Sequence, residues 1–254
     1  MNSTLWKRFM KTKFKYLAVL VLLSETVIPA WGQGVVVVQH SGATDPITED
    51  WSGVGGYPVT NDLGVNAWST PNSDNLAALY EYALTPQQQA GLTAGWVFSV
   101  NARIVPFGTS GASPNNFNAT LMGAAYGNVA LWFGSMANGD PLINLVSGPG
   151  LAITNSFVLT GAGMSYNLYQ LILNGPANML SFWINGVEYA SNISPPQNLS
   201  DVIWGGGGSP QYERVNWNLV SFETVPEPSD LSLLFLGSSA LIYLRVRKRF
   251  WLCK

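Results

Sequence analysis

Leu180-Ser181-Phe182-Trp183-Ile184-Asn185-Gly186-Val187-Glu188-Tyr189 is the stretch that decides the fold of this 254-residue chain. Apolar residues alternate with others on both sides of Asn185-Gly186, and this dipeptide between two such runs is the strongest short-range signal for a β-hairpin. Because side chains alternate across a strand, the core side and the outer side of the hairpin follow from the register. The expected cross-strand pairs are Ile184 with Val187, Trp183 with Glu188, and Phe182 with Tyr189.

The rest of residues 33–224 has the pattern of a β protein. Aromatic and β-branched residues occur in short runs between Gly, Asn, Ser and Pro, and no amphipathic helical stretch is longer than about ten residues. A short helix is expected at 86–90, capped by Thr85 with Pro86 at its first position. Such a chain is predicted to form an antiparallel β-sandwich or barrel. The candidate strands are 34–38, 77–84, 95–105, 120–125, 128–134, 156–160, 165–173, 179–185, 186–190, 202–204 and 214–223.

The order of these segments resembles the concanavalin-like, laminin-G-like jelly rolls. The matching residues are 45–51, 65–68, 95–98, 138–141, 166–169, 180–186, 202–206 and 216–222. The resemblance implies an all-β, antiparallel jelly-roll β-sandwich, in which 216–222 returns to the sheet edge beside the N-terminal strand. It carries no fixed catalytic motif.

The C-terminal segment, residues 225–254, has three parts in a fixed order. A Pro-Glu-Pro breaker comes first, an uncharged apolar run over 231–244 follows, and a basic cluster that favours the cytoplasmic side of a bilayer comes last. This order resembles the PEP-CTERM sorting signal of bacterial exported proteins, which an exosortase recognises and processes. The residues are Val225, Pro226, Glu227, Pro228 and Ser229 for the motif, and Arg245, Arg247, Lys248 and Arg249 for the cluster.

The N-terminal segment, residues 1–32, is predicted to be a signal peptide. Five Lys and Arg precede an apolar stretch at 16–23, and small residues surround Trp31, so cleavage is expected after Gly32 or Ala30. An uncleaved anchor is the alternative, although the apolar stretch is shorter than the roughly 20 residues of a spanning helix. The 14-residue C-terminal run is also short for a span, which favours a transient membrane anchor during processing.

The charge of the central domain excludes some partners. Residues 33–224 contain two basic residues, Arg103 and Arg214, against eleven acidic ones, a formal net charge of −9. Because phosphate binding depends on Lys and Arg, nucleic acid is not an expected partner. The single cysteine, Cys253, lies in the tail, so the domain has no disulfide and no thiol nucleophile.

The inventory of catalytic side chains is small. His40 is the only histidine, no Gly-x-Ser-x-Gly motif occurs, and a solvated or edge histidine is expected rather than a triad. A glycoside hydrolase needs paired carboxyl groups, and two acidic residues two positions apart on one strand would direct both side chains into the same cleft. No acidic residues with this spacing occur in the chain. Glu188, Glu213 and Glu223 remain candidates if the fold brings them together.

Two kinds of binding site are candidates. Asp45, Glu49 and Asp50, or Asn138 and Asp140, offer oxygens to calcium, although a plain turn is the favoured interpretation of each. No other cofactor is expected. Aromatic rings beside amide groups are what carbohydrate recognition uses, and the candidates for that role are Trp183, Trp132 and Asn185.

The sequence therefore predicts an exported, non-catalytic, lectin-like protein that associates with extracellular polysaccharide at the cell envelope, at the cell surface or in the matrix. Two alternatives stay open. One is a glycan hydrolase or lyase, and the other is a passive structural surface protein without a specific ligand.

Overall fold

The computed structural model describes residues 35–71, 78–106, 117–123, 128–148, 152–162, 165–206 and 213–225. The predicted signal peptide and the sorting tail beyond Val225 lie outside these residues. Within the described part, no helix is both long enough and apolar enough to cross a membrane.

Strands make up most of the described chain. They are β1 (Val35–Ser41), β2 (Ser52–Val54), β3 (Tyr57–Asp62), β4 (Val65–Pro71), β5 (Ala78–Ala83), β6 (Gly95–Pro106), β7 (Phe117–Gly123), β8 (Val129–Ser135), β9 (Pro141–Ser147), β10 (Ala152–Val158), β11 (Asn167–Asn174), β12 (Met179–Ile184), β13 (Val187–Ile193), β14 (Leu199–Gly206) and β15 (Glu213–Thr224). Helix α1 (Pro86–Ala90) has the predicted Thr85 cap, completed as a capping box by Gln88. Two 3-10 turns occur at Pro46–Glu49 and Gly91–Ala94.

The strands form two antiparallel sheets. Sheet A has the order β13-β12-β11-β6-β15-β4-β3, and β1 also pairs with β15. Sheet B has the order β10-β9-β8-β7-β14-β5-β2. The expected return of the last strand to the N-terminal strand is confirmed by the pairing of β1 with β15. The prediction that this last strand lies at a sheet edge is wrong, because β15 also pairs with β6 on its other side.

The core lies between the sheets. Alternate residues of each central strand point into it, as the period of two requires, and they include Val100, Leu171, Phe182 and Phe222, each at most 1% exposed. The predicted core positions of Trp96 and Trp217 are confirmed, at 2% and 0% exposure. Burial of these large apolar side chains is the main contribution to the stability of the fold.

Four strands and two 3-10 turns were not predicted from the sequence. They are β2, β3, β4, β9 and the turns at Pro46–Glu49 and Gly91–Ala94. Two of these strands contain a proline, which does not favour a strand in the sequence pattern. Pro58 lies inside β3, and Pro141 begins β9. A proline is tolerated in edge strands and at the first residue of a strand, because there its missing N–H breaks no ladder bond. β3 is an edge strand of sheet A.

The hairpin of β12 and β13 has the expected turn and a different register beyond it. Asn185 and Gly186 have φ values of 51° and 80°, as a type I′ turn requires. The pairs Ile184 with Val187 and Trp183 with Glu188 are confirmed, but Phe182 pairs with Ala190 and not with Tyr189. A β-bulge causes the difference, and bulges are common at sheet edges, where β13 lies.

The turn provides a test of the fold. A Cβ atom at Gly186 would meet nothing within 4 Å, so the cost of Gly186→Val comes from the positive φ alone. We expect a loss of at least about 1 kcal/mol in the free energy of unfolding, measured by urea denaturation. Gly91→Val is the matched control, because Gly91 also has open space but a φ of −76°. Equal losses in the two variants would contradict the turn assignment.

Candidate functional site

A row of outward-pointing side chains crosses five strands of sheet A. Their Cα atoms are register partners from strand to strand, and their chain neighbours point into the core. Small and amide side chains predominate, with one indole at the end. We call this set the polar row; it consists of Trp183, Gln170, Ser99, Ser221 and Gln39.

The polar row is held by hydrogen bonds within the sheet face. Trp183 Nε1 donates to Ser181 Oγ at 2.8 Å, which directs the indole along its own strand, and the ring is half-buried. Gln170 Nε2 donates to Ser99 Oγ at 3.1 Å. Ser99 and Ser221 are only 6% and 2% exposed, so they form the floor of this face. The row thus presents a partly fixed ring beside groups that can donate and accept hydrogen bonds.

Apolar rows lie on both sides of the polar row. Val97 and Ile172 are register partners on one side, and Leu168 and Leu219 both face Asn101 on the other. The four apolar side chains are half-buried. A ligand with both apolar and hydroxyl faces could contact the two kinds of row at once.

An ion pair between the buried Arg103 and the half-buried Asp62 lies at the far end of the same sheet face. Asp62 accepts hydrogen bonds from Arg103 Nε at 3.0 Å, from Arg103 Nη2, from Tyr166 Oη at 2.7 Å and from Asn216 Nδ2 at 2.7 Å. Desolvation works against the charge of Asp62, but the bonds from Arg103, Tyr166 and Asn216 outweigh it and lower the pKa of the carboxyl. Arg103 is 5% exposed and neutralised by this contact, so its charge is not presented to a ligand.

His40 is buried, so the expectation of a solvated histidine is wrong, although its strand β1 pairs with a single described strand, β15. The alternation of β1 directs the ring inward, where it stacks on Trp204 with a centroid distance of 4.8 Å. Its Nδ1 lies 2.6 Å from Glu49 Oε2. The Ser41 hydroxyl donates to Glu49 at 3.1 Å. These contacts fasten β1 to the following 3-10 turn and do not form a catalytic triad, in which the serine would bond to the histidine.

The protonation state of this pair follows from its surroundings. Desolvation lowers the pKa of His40 and outweighs the opposing effect of Glu49. Desolvation opposes the charge of Glu49 as well, but hydrogen bonds from Thr44, His40 and Ser41 lower the pKa of its carboxyl. A neutral imidazole therefore donates its Nδ1–H to a charged carboxylate at neutral pH. His40 Nε2 has no hydrogen-bond partner in the part of the chain that the structure describes.

Four of the five calcium candidates accept hydrogen bonds from neighbouring groups; they are Asp45, Glu49, Asn138 and Asp140. Asp45 Oδ1 accepts from the Ile47 amide at 3.1 Å and caps the 3-10 turn, which Asp50 ends in the left-handed region. Asn138 and Asp140 bond to each other, and Asp140 Oδ1 accepts from the Gly161 amide at 2.8 Å. Among the described residues, no group of three or more acidic, His or Cys side chains is placed to hold a metal ion.

The three carbohydrate candidates do not form one site. Trp132 points outward from sheet B, with Asn144 and Asn118 as register partners, whereas Trp183 points outward from sheet A. The two indoles therefore lie on opposite faces of the sandwich. Asn185 accepts from the Leu168 amide and donates to Asn167 Oδ1, both at 2.9 Å, so its side chain ties the turn to β11.

The three candidate catalytic acids are also separated. Glu188 and Glu223 lie on β13 and β15, four strand spacings or about 19 Å apart. Glu213 lies ten residues from Glu223 on the same strand, about 33 Å away at ~3.3 Å per residue. Glycoside hydrolysis needs two carboxyl groups roughly 5–9.5 Å apart, so none of these three acids can pair with another.

One pair of acidic residues was missed from the sequence. Glu81 on β5 and Asp201 on β14 lie on the outer face of sheet B, because their chain neighbours Tyr80 and Val202 are buried in the core. They are diagonal neighbours, since Glu81 pairs with Ile203 and Asp201 with Ala83. Desolvation and the charge of Asp201 raise the pKa of Glu81. The two residues are 120 positions apart, so only knowledge of the strand register could have joined them.

Comparison with known proteins adds information on the fold. No family model matches the sequence, and no curated protein is significantly similar to it. Solved structures are similar in shape. A legume lectin-like domain from Entamoeba histolytica is 10% identical, with 76% of this chain and 100% of that domain covered and a TM-score of 0.51. The chain has a jelly-roll fold.

Two further structures agree with this fold. The CBM2 module of the evolved Dit of Lactobacillus casei BL23 phage J-1 is 13% identical, with 77% and 97% coverage and a TM-score of 0.50. The Crh5 transglycosylase in complex with NAG is 11% identical, with 76% and 86% coverage and a TM-score of 0.51. At such identities the similarity establishes the jelly roll, and the predicted fold class of the central domain is confirmed.

The buried histidine predicts a loss of stability in mild acid. In the unfolded chain His40 takes up a proton near pH 6.5, whereas its pKa in the fold is lower. The unfolded state therefore binds more protons as the pH falls below about 6.5, and the free energy of unfolding decreases there. We expect His40→Phe, which keeps a flat ring, to flatten the dependence of unfolding free energy on pH between 7 and 5. Equal slopes in parent and variant would contradict this account.

Proposed function

We propose that residues 33–224 form a non-catalytic, carbohydrate-associating domain whose contact surface is the polar row of sheet A. The observation that carries the proposal is the placement of Trp183. Its ring is half-buried, fixed by Ser181, and followed across the sheet by Gln170 and two serines. Sugar rings present an apolar face for stacking and hydroxyl groups for hydrogen bonds, and this row offers a partner for each.

The named similar structures support this choice of ligand class. One is a lectin-like domain, and another is a transglycosylase in complex with NAG. Their identities to this chain are 10% and 11%. They support a carbohydrate as the ligand class and do not specify a sugar, since function resides in the side chains that each fold presents.

The spacing of the acidic residues supports a binding role over hydrolysis. The acids nearest the polar row, Glu188 and Glu223, lie four strand spacings apart and cannot share one glycosidic bond. Glu81 and Asp201 do lie near each other, which keeps a glycan hydrolase or lyase as the alternative function. If this alternative holds, incubation of the protein with polysaccharide should release a product, and Glu81→Gln should abolish that release.

We propose further that the protein is exported and sorted by its tail to the cell envelope, surface or matrix. The support is the order of the breaker, the apolar run and the basic cluster in residues 225–254, together with the basic and apolar segments of residues 1–32. An exosortase-type enzyme would process the tail, and membrane anchoring would be transient.

The basic cluster tests this route. Changing Arg245, Arg247, Lys248 and Arg249 to Gln should reduce tail processing and surface yield in a host with an exosortase, because moving these cations through a bilayer is costly. Processing is measured as the mass shift of the mature chain. Lys254→Gln, a cation outside the cluster, is the control. Normal processing of the four-residue variant would exclude the sorting-tail proposal.

Trp183 tests the binding function. Because its ring points away from the core, Trp183→Ala should abolish retention on glycans in affinity electrophoresis while it lowers the melting temperature little. Trp132→Ala, on the opposite outer face, should leave retention intact. Phe182→Ala, the buried neighbour, should cost about 3–5 kcal/mol of stability. Retention that survives in Trp183→Ala, or is lost only in Trp132→Ala, would rule out the polar row as the contact surface.

A further inference from the structure

We infer that the polar row selects uncharged glycans over glycans that carry carboxylate groups. This inference rests on the proposed function, and it concerns the chemical class of ligand that the same surface accepts. The argument depends on the positions of the acidic and basic side chains around the row.

Acidic side chains lie beside the polar row at two places. Glu188 is exposed and is the register partner of Trp183 on the edge strand β13. Glu223 is two residues from Ser221 on the same face of β15, and the Ser221 hydroxyl donates to its Oε1 at 3.2 Å. A ligand that lies along the row therefore meets a carboxylate beside the aromatic ring and another near the far serines.

Basic side chains are too distant to compensate. Arg103 and Arg214 are the only cations of residues 33–224. Arg103 lies four residues from Ser99 along β6, about 13 Å, and Asp62 already neutralises it. Arg214 lies seven residues from Ser221 along β15, about 23 Å, and its Nη1 faces Tyr57 Oη at 3.4 Å. Both distances exceed the Debye length of about 8 Å at physiological salt.

The consequence is a local repulsion of anionic ligands. A carboxylated sugar bound at Trp183 or near Ser221 would lie within a Debye length of a protein carboxylate with no cation to offset it. An uncharged sugar would meet the same carboxylates as hydrogen-bond acceptors for its hydroxyl groups. The row thus favours neutral glycans by charge as well as by its amide and hydroxyl groups.

The whole domain is also acidic, so local and global repulsion must be separated. Glu188→Gln with Glu223→Gln removes two charges at the polar row. Glu81→Gln with Asp201→Asn removes two charges from the outer face of sheet B. The two double variants change the net charge equally, and only the first changes the field at the row.

The experiment measures retention of the parent and both double variants by matched glycans. The probes are glucans, mannans and galactans, each used uncharged and carboxymethylated, at about 0.15 M and at about 1 M salt. We expect the parent to bind at least one uncharged glycan about tenfold more tightly than its carboxymethylated form. The double variant Glu188→Gln with Glu223→Gln should reduce this ratio of affinities by about threefold or more. The double variant Glu81→Gln with Asp201→Asn should leave the ratio near the parent value. High salt should reduce the ratio in the parent, because the Debye length falls to ~3 Å.

The outcomes separate the two proposals. Equal binding of both forms by the parent, or equal narrowing in the two double variants, would overturn the charge selection and leave the carbohydrate-binding function standing. Absence of retention by every glycan would remove the proposed function and this inference with it.

Discussion

The pairing of β15 on both sides is the constraint on which sheet A depends. β6 covers one side of it, while β4 and β1 divide the other side between residues 214–217 and 219–224. Phe222 and Val220 then enter the core, and Ser221 faces outward into the polar row. A slip of one residue would exchange these faces, so burial of the two apolar side chains fixes the outer surface as well.

The ion pair of Arg103 and Asp62 connects strands at one end of this sheet. Each charge is costly to bury alone, and Tyr166 and Asn216 complete the hydrogen bonding of the carboxylate. Because Asp62 ends β3 while Arg103 belongs to β6, the pair joins two strands of sheet A between which β15 and β4 lie. The same contact neutralises the charge of Arg103, one of the two basic residues of the domain, which leaves the outer face of sheet A predominantly acidic. The contact between Arg103 and Asp62 therefore contributes both to the structure of sheet A and to the proposed selection against anionic glycans.

Local features were predictable from the sequence, and features set by pairing were not. The Asn185-Gly186 turn and the Thr85 cap depend on neighbouring residues, so their chemistry identified them. The polar row joins residues 99, 170, 183 and 221, whose side chains meet only through strand register. The Asn185-Gly186 turn predicted the pairing of Trp183 with Glu188, but the other register partner of Trp183, Gln170, was not predicted. A solvated or edge histidine was expected at position 40 because no nucleophile motif accompanies it, whereas the acceptor that permits its burial, Glu49, lies nine residues away.

The central claim is that the outer face of sheet A contacts a neutral glycan. Its most direct test is amide chemical-shift mapping by NMR of residues 33–224, titrated with oligosaccharide fragments of the neutral glycan that the domain retains. The account predicts saturable shifts centred on Trp183, Gln170, Ser99 and Ser221, with the amides around Trp132 and Asn144 unchanged. Shifts confined to sheet B, or to the loops at the ends of the sandwich, would contradict it.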